Sequence, residues 1–170
     1  MGSLQWLCMI GRADIQYAVC SLSRFSAAPR VKQLKYVIKV YSYLKEFPEK
    51  WITVDHCNLL LFTDPAEPNP AMKDLYPDAI EELDKNFPKG LGKPLQTAVF
   101  FDSDHGHDQL TKKSCTGLVV YVGRTPVMWS SKRQTSIQSS SYGAEFMAGR
   151  SACEEAILIR YMLLCLGCRL

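Results

Sequence analysis

Two hydrophobic periods, separated by a proline-rich stretch, set the strongest limit on what these 170 residues can fold into. Before residue 57 apolar residues recur at helical spacing, and after residue 94 they come in short β-branched and aromatic runs. Residues 57–94 hold six prolines (Pro65, Pro68, Pro70, Pro77, Pro88, Pro94) and an acidic patch at Glu81, Glu82 and Asp84. Proline fixes φ and removes a backbone donor, so this stretch reads as a long connector with one helical turn at most, over residues 78–83. The chain therefore divides into a helical segment 1–56, a connector 57–94 and a strand-then-helix segment 95–170.

In the first segment, residues 13–25 place Ile15, Ala18, Val19, Leu22 and Phe25 on one helical face, with Asp14 near the positive N-terminal end. Pro29 breaks the pattern. Residues 31–47 then carry Leu34, Val37, Ile38, Tyr41 and Leu44 on one face, with Lys32, Lys35, Lys39 and Lys45 elsewhere, and stop before Pro48. Two such helices predict an antiparallel hairpin. Residues 51–55, WITVD, are a short strand candidate.

In the last segment, residues 95–104, 114–122 and 126–134 read as three strands. Gly123 and Pro126 suit a tight turn between the second and third, which predicts an antiparallel meander. Residues 139–167 read as one long helix with an N-cap among Ser139, Ser140 and Ser141 and a stop at Gly167. The fold class is α/β: a helical hairpin, then a three-stranded antiparallel meander followed by a long helix.

A hydrophobic share of 47% with 22% charged residues is globular rather than disordered, and a net charge of +3 is too small to argue for nucleic acid on its own. The seven cysteines show no paired CxxC zinc pattern; an odd, scattered count fits free thiols in a reducing compartment. The first ten residues lack the basic region of a signal peptide, and no apolar run reaches the roughly 20 residues of a membrane span. These features predict an intracellular protein, cytoplasmic or nuclear, without a membrane partner.

The chemistry concentrates in residues 99–108, VFFDSDHGHD, where a strand runs into three aspartates and two histidines. Asp102 lies where the strand emerges from its apolar run, and Glu145 lies in the first turns of the long helix. A strand carboxylate facing a helix carboxylate suits divalent cations such as Mg²⁺, and two-metal phosphoryl chemistry uses such sites. A solvated turn plus a surface glutamate fits the same spacing, and spacing alone leaves both readings open. His105 and His107 have no cysteine or third histidine at ligand spacing, which favours an exposed turn. Lys132 and Arg133 leave the third strand as adjacent cations, able to hold phosphates or to form an ordinary basic turn. Trp129 reads as core, Tyr142 and Phe146 as packing residues of the helix, and Glu154 and Glu155 as a solvated helix face.

Five stretches, in chain order, resemble blocks of copia-type retrotransposon Pol polyproteins where reverse transcriptase runs into RNase H. They are GRADIQYAVCSLSRFSAAPR (11–30), LKYVIKVYSYLK (34–45), FFDSDHGHD (100–108), SCTGLVVYVGRTPVMWSSKRQ (114–134) and SSSYGAEFMAGRSACEEAILIRYML (139–163). The resemblance implies that residues 1–56 come from the end of reverse transcriptase and residues 95–170 form the N-terminal portion of an RNase H-like domain. It implies Asp102 and Glu145 as catalytic Mg²⁺ ligands in hydrolysis of the RNA strand of an RNA:DNA hybrid, with Asp104 and Asp108 in supporting places.

The same resemblance implies a further strand with a third aspartate after the long helix, yet no Asp or Glu follows Glu155. The paired aspartates of a polymerase palm are also missing from these residues. The expectation is a nuclease fragment that is inactive alone, with the rest of the polyprotein as partner. The alternative is a non-catalytic binder of nucleic acid or protein that uses Lys132, Arg133 and an open sheet edge, an edge that also permits self-association.

Overall fold

The computed structural model describes residues 1–50, 52–55, 57, 77, 83, 85–108 and 110–170. Helix α1 spans Gly2–Ile10, a 3-10 turn spans Ala13–Ile15, α2 spans Gln16–Ser23 and α3 spans Val31–Glu46. The strands are β1 (Thr97–Asp104), β2 (Cys115–Val122) and β3 (Thr125–Arg133), and α4 spans Ser141–Cys165. The expected helical turn near residues 78–83 and the acidic patch of the connector lie outside the described residues, Leu83 apart.

The first segment holds three helices where the sequence predicts two. Helix α1 places Leu4 and Cys8 four residues apart, and both are buried against Ile15, Val19 and Val40. The inward face of α3 also differs from expectation. Val37, Val40 and Leu44 pack inward, whereas Leu34, Ile38 and Tyr41 are about half exposed. The i, i+3, i+7 row from Val37 is the one that meets α1 and α2. At the start of α3 the Gln33 carboxamide accepts from the Arg30 N–H at 3.2 Å, satisfying a donor that the helix leaves free.

Residues 52–55 do not form the expected strand. They dock on the β2–β3 hairpin instead: the Asp55 N–H donates to Thr125 Oγ1 at 2.8 Å, and that hydroxyl donates to the Asp55 carbonyl at 3.1 Å. Arg124 completes the contact with an ion pair to Asp55 at 3.5 Å.

The strands form an antiparallel sheet in the order β1-β2-β3, the expected meander. Gly123 and Arg124 make the two-residue turn between β2 and β3, with Gly123 at φ 58°, a left-handed value that favours glycine. The β2–β3 register shifts at Val120/Tyr121, leaving Val127 as the extra residue of a bulge beside Pro126.

Helix α4 covers one face of the sheet. Ala144, Ala148 and Ala152, spaced by four, are all buried and let the helix axis approach closely. Leu118, Val120, Val99, Met128 and Ile159 fill the space beside Ala152. The helix starts as expected, with the Ser140 hydroxyl accepting from the Gly143 N–H at 3.1 Å. It ends in a Schellman turn: Gly167 is at φ 71°, its N–H donates to the Leu164 carbonyl and the Cys168 N–H to Leu163, both at 2.9 Å. Tyr142 and Phe146 do not pack as expected. They lie two positions off the alanine row and are exposed.

The helical segment covers part of the opposite face. Helix α2 packs against β3, and the Trp129 indole N–H donates to the Cys8 carbonyl at 2.8 Å. That bond accounts for Trp129 as a packing residue with its polar tip satisfied.

Candidate functional site

Strand alternation decides where each carboxylate points. Val99 joins the cluster under α4, and the Phe101 ring lies so close to that helix that a Cβ at Gly149 would sit 3.3 Å from it. Residues 99, 101 and 103 therefore face α4, and Asp102 and Asp104 project from the other face. There they border a cavity of about 470 Å³ between the sheet and the start of α2, together with Gln16, Tyr17, Trp129 and Ser131. The Asp102 carboxylate accepts from the Ser103 N–H at 2.9 Å and is exposed.

Glu145 is half-buried in the first turns of α4, on the helix that covers the face Asp102 does not use. The two expected metal ligands are thus placed on opposite sides of β1. Among the described residues no group of three or more His, Cys, Asp or Glu side chains is placed to hold a metal ion. The donor set present does not fit a two-metal centre, which needs several carboxylates converging on the same ions.

Beside Asp102 the polar side chains bind one another. His107 Nδ1 lies 2.7 Å from Asp104 Oδ2, and the Tyr17 hydroxyl lies 3.1 and 3.2 Å from the two ring nitrogens of His107. A carboxylate only accepts, so Nδ1 carries the proton it shares with Asp104. His105 Nε2 is 3.1 Å from the Gln138 carbonyl, which ties the turn to the loop before α4. Both histidines serve the turn.

Asp108 is the hub of the β1–β2 loop. It accepts from the Thr111 hydroxyl at 2.7 Å, the Leu110 N–H at 3.1 Å and Arg133 Nη1 at 2.7 Å. Arg24 of α2 approaches the same oxygen at 3.8 Å. The Thr111 hydroxyl, then Arg133, hold the Asp108 carboxyl well below the usual carboxylate range.

Lys132 and Arg133 do not form one patch, because adjacent strand residues point to opposite faces. Arg133 sits with Cys115 in register and is engaged by Asp108. Lys132 lies on the α4 side and borders a second cavity of about 280 Å³ with Gln134, Ser151, Glu154 and Glu155.

Tyr17 and Arg24 complete this arrangement and were not singled out by the sequence reading. Both lie on or just after α2, and only the docking of that helix brings them to residues 104–108. A tyrosine and an arginine on the polar side of an amphipathic helix carry no local signal of it.

Two curated proteins align with the whole chain, the retrovirus-related Pol polyproteins from transposons RE1 and RE2 of Arabidopsis thaliana, at 28% and 26% identity over 170 residues. The whole chain is consistent with a segment of a copia-type Pol polyprotein. It spans 9% of the length of each of these relatives. No family model matches the chain, and no solved structure does. Among the described residues no helix is long and apolar enough to cross a membrane.

Proposed function

We propose that the chain is a piece of a retrotransposon Pol polyprotein in which residues 1–56 close the reverse transcriptase region, 57–94 connect, and 95–170 begin an RNase H-like domain. The observation that carries this reading is the order of parts. A three-stranded meander whose first strand ends in Asp102 is followed by a long helix with Glu145 in its first turns, in a chain that aligns end to end with Pol polyproteins. Within a complete RNase H-type site the bound metal supplies the charge that activates water at a phosphodiester. The role of this chain is to present Asp102 at the strand end and Glu145 on the helix, with other parts of the polyprotein as partners.

Taken alone, the chain does not cleave. Two carboxylates on opposite faces of a strand cannot share an ion, and catalytic groups that act as a unit lose activity far more than additively. A labelled RNA:DNA hybrid incubated with Mg²⁺ and the purified chain is expected to stay intact, as with the Asp102→Asn variant. Mg²⁺-dependent cleavage that Asp102→Asn abolishes overturns this reading.

A second reading, binding without cleavage, is favoured by Lys132, which is exposed on the edge strand β3 beside the partly exposed Arg133. Phosphate contacts of this kind weaken steeply with salt. If binding is the role, hybrid affinity survives Asp102→Asn and Glu145→Gln and falls several-fold in Lys132→Ala. Equal affinity in Lys132→Ala removes that reading.

A further inference from the structure

Two thiols from opposite ends of the chain meet where α2 packs on the sheet. Cys115 opens β2, is buried, and its Sγ lies 3.4 Å from the Ser131 hydroxyl of β3. Cys20, in the middle of α2, is half-buried, and its thiol is hydrogen-bonded to the same Ser131 side chain. One hydroxyl thus contacts both sulfurs. Cys115 also lines the cavity beside Asp102, which gives a small molecule a route to it.

We propose that Cys20 and Cys115 are a disulfide-forming pair, closed by a small hydroperoxide that enters this cavity. The hydroperoxide oxidises Cys115 to a sulfenic acid while its O–O bond breaks, and with hydrogen peroxide one water leaves. Cys20, as the thiolate, then attacks the sulfenic sulfur. The S–S bond forms, the S–O bond breaks, and the departing hydroxide takes up the proton released by Cys20 as a second water. The two thiols are oxidised, the peroxide is reduced, and the product fastens α2 to β2.

The surroundings bear on the rate. Burial, followed by the neighbouring Cys115, pushes the Cys20 thiol above its ordinary value. Thiolate is the attacking form, so closure speeds up as the solution is made more alkaline. Of the other cysteines, Cys8 is buried in the helical cluster, Cys57, Cys153 and Cys165 are exposed, and Cys168 is half-buried.

The test is peptide mapping of the full chain after hydrogen peroxide treatment, digested without reduction and read by mass spectrometry. The expected product is a linked peptide pair containing Cys20 and Cys115. It should separate with dithiothreitol, vanish in Cys20→Ser and in Cys115→Ser, and persist in Cys153→Ser. Recovery of both cysteines unlinked after Cys153 has been oxidised overturns the proposal, as does a link from Cys20 to any cysteine other than Cys115. The wild-type map alone gives this answer if either serine variant fails to fold.

Discussion

Asp108 joins stretches far apart in the sequence: α2 through Arg24, the β1–β2 loop through Thr111, and β3 through Arg133. Its folded pKa lies below the 3.8 of the free side chain. The stabilisation is therefore fully present above that value and lost only as the pH falls through it toward the lower, folded value. Urea titrations between neutral and acid pH should show an acid-side fall in stability that is shallower in Asp108→Asn. At neutral pH Asp108→Ala should cost about 2 kcal/mol, the range for a hydrogen-bonded charge whose partners stay behind. The residues behind this hub were only partly legible. Asp108 and Arg133 were both marked for chemistry, yet each is satisfied by the other. Neither Arg24 nor Tyr17 announces itself, because the docking that brings them to the loop leaves no pattern on a single helix.

Among the elements, those with punctuation were readable. Strands β2 and β3 with Gly123 between them, and α4 between Ser140 and Gly167, fall within a residue or two of their predicted bounds, because turn and cap chemistry fixes them locally. Helix α1 went unseen. It has no side-chain cap, and exposed Trp6, Met9 and Ile10 blur the Leu4–Cys8 row that buries it. The inner face of α3 was misread for a related reason: apolar residues surround that helix, and only its partners select Val37, Val40 and Leu44. In β1, Val99, Phe100 and Phe101 make both faces apolar, so alternation could not say which one Asp102 takes. Two stability measurements follow. Ala148 is fully buried between α4 and the sheet, and Ala148→Leu should cost about 1–3 kcal/mol in thermal or urea unfolding through overpacking. Gly167→Ala forces a Cβ into the left-handed region and should cost about 1 kcal/mol.

For the molecule as a whole, the seam between helical segment and sheet is the feature that sets its properties. The Trp129–Cys8 bond, the Tyr17–His107 contact and the Arg24–Asp108 pair all cross it, and Asp102 opens into it. Trp129→Phe should keep most of the packing, remove the bond to Cys8, and lower stability by about 1 kcal/mol. The seam also bears on function, since it draws Asp102 to the face that α4 does not cover. The central claim is that Asp102 and Glu145 do not share a metal ion in this chain. Titration with Mn²⁺, followed by paramagnetic broadening of backbone amide signals, tests it most directly. The predicted result is weak, independent broadening near each carboxylate, with Asp102→Asn leaving the effect at Glu145 unchanged. One saturable site that broadens residues 102 and 145 together, and is lost in either Asp102→Asn or Glu145→Gln, would contradict it.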